Sequence, residues 1–188
     1  MSSSHLFWVT ARAAGIAALV LVSVSVGAGV ALSGRLARGR GLDLRTAHAT
    51  ISIAALVMIV LHVLALLGDA WFHPTVAGLL IPGVRGYREP FMAIGIVAGW
   101  GTVVFGFSYY VRDAIGVARA RVVHRLTVLT WALSVAHSLG EGSDRAQAWF
   151  IAAVVLTILP SAVLVLLRAA AASGLPTSRI EAAARIRR

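Results

Sequence analysis

"TAHATISIAALVMIVLHVLALLG", residues 46–68, contains no Asp, Glu or Arg and carries a histidine near each end, His48 and His62. A hydrocarbon core about 30 Å thick takes roughly 20 helical residues to cross, so this stretch reads as a membrane-spanning helix. Four more runs of similar length and character stand at approximately 13–32, 91–111, 122–140 and 148–168. The expected fold class is therefore an all-α membrane protein, a bundle of five transmembrane helices. The whole chain agrees with this: 188 residues, 59% hydrophobic and 13% charged, lie outside the range of soluble globular domains.

Charge sets the expected orientation. All 17 basic residues are arginine, and 13 of them fall on one side of the five runs: Arg35, Arg38, Arg40, Arg45, Arg112, Arg119, Arg121, Arg125, Arg168, Arg179, Arg185, Arg187 and Arg188. The positive-inside rule makes that side cytoplasmic, with the N-terminus outside and the C-terminus inside. The first run lacks a basic lead and a small-residue cleavage site, so it is expected to be retained. The connection at about 69–90 is apolar but interrupted by Pro74, Pro82 and Pro90, and Trp71, Phe72 and Tyr87 suit an interfacial outer segment. Residues 1–170 are expected to form one membrane domain, and 171–188 a basic cytoplasmic tail. In that tail Ser178 and Glu181 have capping-box spacing before a short helix that would rest on anionic lipid.

Composition also excludes. Without cysteine the chain holds no disulfide, zinc–thiolate site or cysteine-ligated iron–sulfur cluster. A net charge of +10 follows from arginines flanking apolar runs, so topology rather than nucleic acid accounts for it. No G-x-G-x-x-G or Walker A string occurs, and the five runs leave no stretch long enough for a flavin or NAD(P)H domain.

Four of the six histidines carry the functional reading. His48 and His62 are fourteen apart, and His124 and His137, in the run "VVHRLTVLTWALSVAHSLGEG" (122–142), are thirteen apart. A rise of about 1.5 Å per residue separates each pair by roughly 20 Å, too far to share one metal ion. His48 follows Arg45 by three residues and His124 follows Arg121 by three, so these two should lie level near the cytoplasm. His62 should likewise lie level with His137 near the outside. Facing imidazoles at matched depth suit bis-histidine ligation of a flat tetrapyrrole, one nitrogen on each side of the iron. Ala47, Ala49, Ala136 and Ser138 leave room for a bulky ring. Fourteen residues fall about 40° short of four helical turns, so His48 and His62 share a face, whereas thirteen residues leave His124 and His137 about 140° apart on an ideal helix. Tilt, overwinding or approach from two sides would reconcile them.

From "LDLRTAHATISIAALVMIVLHVLA" through "EPFMAIGIVAGWGTVVFGFSYYVRDAIGVARARVVHRLTVLTWALSVAHSLGEGSD", with its paired spacing and the "HRL" at 124–126, the chain resembles the ferric reductase-like transmembrane domain family. That family includes ferric reductases, NADPH oxidases and the haem subunit of a methionine sulfoxide reductase system. The resemblance implies two haem b groups, with His48 and His124 on the inner iron and His62 and His137 on the outer. It implies electron transfer from a cytoplasmic reductant to an outer acceptor, in a multi-pass cell-membrane protein of bacterial type. The donor would be a separate flavoprotein reductase, or a quinol as in diheme cytochromes b. A haem-free scaffold or transporter subunit is the reading from a different class; the absence of a midplane charge or a substrate-pocket signature argues against transport.

Other residues are candidates of lower rank. Arg12 and Arg125 could bind haem propionates through the guanidinium fork, although interfacial snorkelling explains each as well. His73 could serve an outer acceptor or metal. Gly95 and Gly99 form a small-xxx-small pattern expected to serve close helix packing. Trp100, Phe105 and Trp131 read as packing or haem-wall residues.

Overall fold

The computed structural model describes residues 3–34, 41–70, 72–84 and 89–173, and every regular element among them is helical. In chain order these are α1 (Ser3–Ser33), α2 (Gly41–Leu67), α3 (Val76–Leu80), α4 (Glu89–Phe107), α5 (Arg112–Ile115), α6 (Val117–Arg125), α7 (Thr127–Glu141) and α8 (Ala148–Ala172). Arg35, Arg38, Arg40, Trp71, Tyr87 and the tail with Ser178 and Glu181 lie outside the described residues.

Four of these helices, α1, α2, α4 and α8, are long and apolar enough to cross a membrane. The run 122–140, expected as one continuous span, is divided between α6 and α7, which meet at Leu126. There the backbone bonds shorten from the i→i−4 pattern: Leu126 N–H donates to Val123 O (3.0 Å) and Leu129 N–H to Leu126 O (3.0 Å). These are 3₁₀-type bonds, which raise the rise per residue to about 2.0 Å and the turn to about 120°.

Many of the buried side chains are small, and many large aliphatic ones face outward. Ala11, Ala14, Ala18, Ala55, Ala65 and Ala98 are buried, while Leu156, Leu166, Val104 and Val57 are exposed. That inversion suits helices whose surroundings are as apolar as their side chains, because close backbone approach then holds the bundle together. Antiparallel α1 and α2 lie against each other along their length, as do α4 and α7, and α8 covers α1.

A small polar cluster in the middle joins these units. Ser23, fully buried, donates its hydroxyl to Leu19 O (2.7 Å) and accepts from Trp131 Nε1–H (2.9 Å), while Ser161 Oγ–H donates to Ser23 O (2.7 Å). One residue of α1 is thereby tied to both α7 and α8, and Val22, Val26 and Ala55 pack with Trp131 around the knot. On the segment 69–90, Thr75 caps α3 by accepting from Gly78 N–H (3.0 Å). Trp100 Nε1–H donates to Leu80 O (3.0 Å), fastening α3 to the side of α4.

Candidate functional site

The four span histidines share one local design. His62 Nδ1 lies 2.7 Å from Ala11 O, His48 Nδ1 3.0 Å from Ser25 O, His137 Nδ1 2.8 Å from Phe91 O, and His124 Nδ1 3.2 Å from Phe105 O. A carbonyl oxygen only accepts, so in each case the hydrogen sits on Nδ1. A neutral ring held in this way is the tautomer whose Nε2 carries the lone pair. This is the arrangement in which a ligating histidine is oriented, and its basicity raised, by a partner behind it.

The register is regular. On α1 the acceptors Ala11 and Ser25 are fourteen apart, matching His62 and His48 on antiparallel α2. On α4 the acceptors Phe91 and Phe105 are again fourteen apart, yet they serve His137 and His124, thirteen apart. The tightened turn at Leu126 makes up the difference. About three residues gaining ~0.5 Å of rise each bring thirteen residues to the ~21 Å that fourteen ordinary ones span. Three such residues would add about 60° of rotation, reducing the ~140° offset of an ideal helix to about 80°. Of the three accounts open at the level of sequence, overwinding is the one that the 3₁₀-type bonds at Leu126 favour, although Thr130 N–H also keeps an ordinary i→i−4 bond to Leu126 O (3.2 Å).

His48 and His124 face each other with ring centroids 6.1 Å apart and planes at 88°. Two imidazoles clamping one metal, each at about 2 Å from its Nε2, would have centroids ~6.3 Å apart. His62 and His137 follow fourteen and thirteen residues further along the chain from this pair. The pair His48 and His124 offers two nitrogens to a metal, and a flat tetrapyrrole would supply the other four, so these two residues fit a bis-histidine haem.

His48 has an additional partner, unlike the other three. Ser25 Oγ lies 3.1 Å from its Nδ1 and 2.7 Å from Ser52 Oγ, and Ser52 Oγ–H donates to His48 O (2.7 Å). The hydroxyls thus form a chain from the ring back to the same residue's backbone. Neither serine was legible as a site residue, because a hydroxyl in an apolar run ordinarily bonds back to its own helix.

The lesser candidates sort differently. Arg12, beside the Ala11 acceptor, directs Nε (3.0 Å) and Nη2 to the two carboxylate oxygens of Asp144, with its guanidinium 4.0 Å above the Trp8 ring. Its fork therefore faces a side chain of this chain, and it clasps α1 to the connection between α7 and α8. Replacing Asp144 by Asn should lower stability by about 1–2 kcal/mol, between the values for exposed and buried pairs, because Arg12 is 31% and Asp144 11% exposed. A thermal-melt double-mutant cycle with Arg12→Gln measures the coupling; additive losses would deny it. Arg125 is exposed beside the break at Leu126, and His73 is exposed in the turn before α3 with φ 41°. Neither is brought to the histidine pairs by a hydrogen bond or ion pair among those described.

Fold and site together define a helical chain with membrane-spanning character, in which four histidines each lean on a helix carbonyl and two of them, His48 and His124, meet ring to ring. No family model, curated protein or solved structure matches the chain.

Proposed function

We propose that this chain is the haem-carrying membrane component of an oxidoreductase of the ferric reductase-like kind, passing electrons from the cytoplasmic side to an acceptor at the outer face. The observation that carries the reading is the set of four Nδ1–H to carbonyl bonds, which leaves two lone pairs at each of two levels. His48 and His124 would hold the inner group and His62 and His137 the outer. A haem iron cycling between ferric and ferrous supplies one-electron transfer at each level.

The residues of this chain bind, orient and insulate. The carbonyls of Ala11, Ser25, Phe91 and Phe105 fix each imidazole against rotation, so ligand geometry is set before a cofactor arrives. The core around Trp131 fills the space between levels and excludes water there. In this reading α6 and α7 together make the fifth span, the arginine-rich side is cytoplasmic, and the chain resides in a bacterial cell membrane. A separate flavoprotein reductase or a quinol delivers electrons to the inner level.

Protein purified from haem-replete cells is expected to show a b-type reduced-minus-oxidised spectrum with about two haems per chain. A folded, colourless preparation would overturn the reading and leave the haem-free scaffold in its place.

A further inference from the structure

Resting on that reading, we infer that Gly15, Gly29 and Gly95 are positioning residues, seats that let an imidazole reach the helix backbone behind it. Each stands four residues after an acceptor carbonyl: Gly15 after Ala11, Gly29 after Ser25, Gly95 after Phe91. In an α-helix the Cα–Cβ bond leans toward the N-terminus, so the side chain at i+4 covers the carbonyl of residue i. Any side chain there stands between the histidine and its acceptor.

The contacts grade the requirement. A Cβ on Gly95 would collide with His137 Nδ1; one on Gly15 would lie 3.0 Å from His62 Nδ1; one on Gly29 would lie 3.3 Å from His48 Cε1. The fourth histidine meets the same need by another route. Its acceptor, Phe105, lies in the last turn of α4, which ends at Phe107, so Tyr109 does not continue the helix over the carbonyl. C-terminal carbonyls of a helix are open to outside donors without any glycine. Three glycines and one helix end thus do a single job.

Gly99 supplies a control within the same helix. It completes the small-xxx-small pattern with Gly95, yet a Cβ there would meet no atom within 4 Å. Helix packing would make the two equivalent, whereas seating the histidine singles out Gly95.

The test compares Gly95→Ala with Gly99→Ala in the full chain, reading haem per chain, reduction potentials, and the low-spin EPR signal that reports the angle between imidazole planes. Gly95→Ala should lose the outer haem, or shift its potential and EPR signal, while the inner haem stays as in the wild type and Gly99→Ala is unchanged throughout. The outer component is identified by its loss in His62→Ala. If Gly95→Ala does not fold by circular dichroism, Gly29→Ala, where the neighbour has to yield only a few tenths of an ångström, should shift the inner haem alone. Equal behaviour of Gly95→Ala and Gly99→Ala, or an inner haem indifferent to Gly29→Ala, overturns the inference while a wild type holding two haems leaves the functional reading standing. A wild type without haem fails that reading instead.

Discussion

His137→Ala is expected to remove one of two haems and leave the other bound with its potential unchanged. In the proposed arrangement the outer haem would have two imidazole ligands, and with one gone the remaining His62 would be its single protein ligand. The inner level keeps both ligands and all their backbone partners, Ser25 O and Phe105 O among them. The fold should survive, because the substitution forfeits one imidazole-to-carbonyl bond to Phe91, about 1 kcal/mol. The sharper half of the prediction concerns pairing. His62→Ala should delete the same spectral component as His137→Ala, and His48→Ala the same one as His124→Ala. Haem quantification with a redox titration of the four variants checks it, and loss of different components from His62→Ala and His137→Ala would refute the two-level arrangement.

The histidine levels could be drawn from sequence because depth in a bilayer is a one-dimensional quantity. Taking Arg45 and Arg121 as marks of one interface and counting three residues from each puts His48 opposite His124, and the rings of these two lie 6.1 Å apart. What lies behind the rings could not be drawn the same way. A backbone carbonyl exists at every residue, so nothing in the letters Ala11, Ser25, Phe91 or Phe105 marks them as acceptors. A trace was present nonetheless: Gly15 and Gly29 repeat the fourteen-residue interval of His48 and His62 on the preceding apolar run. Gly95 was read as packing because its partner in the pattern, Gly99, is the more familiar signal.

The break at Leu126 was illegible for a different reason. "HRLTV" contains neither Gly nor Pro, the usual marks of a disrupted helix, and the tightening accompanies a fourteen-residue spacing of acceptors on α4 opposite histidines thirteen apart. Tertiary register overrides local propensity there. The residue Arg12 shows the converse: an arginine near the outer end of a span is compatible with several anionic partners, and only the fold brings Asp144, 132 residues away, into its fork.

Trp131→Ala should act on both levels at once, unlike any single histidine change. Its ring is 6% exposed, packs with Val22, Val26 and Ala55, and is tied by its indole N–H to Ser23 on α1. It stands seven residues after His124 and six before His137, on the helix that Gly101 and Thr102 hold against α4 through Thr130. A buried Trp→Ala change in a soluble core costs about 3–5 kcal/mol, part of it transfer from water and part of it the cavity left behind. In a lipid or detergent setting the transfer part shrinks and the lost packing remains, so a loss of about 2–3 kcal/mol is expected. Because α1 carries the acceptors for His48 and His62 while α7 carries His137, loosening α1 from α7 should spread both facing pairs. Haem content should therefore fall for the two components together, with a lowered melting temperature. Trp131→Phe keeps most of the volume and gives up the bond to Ser23, costing about 1 kcal/mol, and should retain both haems. Circular-dichroism melts and haem quantification on both variants distinguish the outcomes. Selective loss of one component in Trp131→Ala would mean that the packing around Trp131 supports only one level.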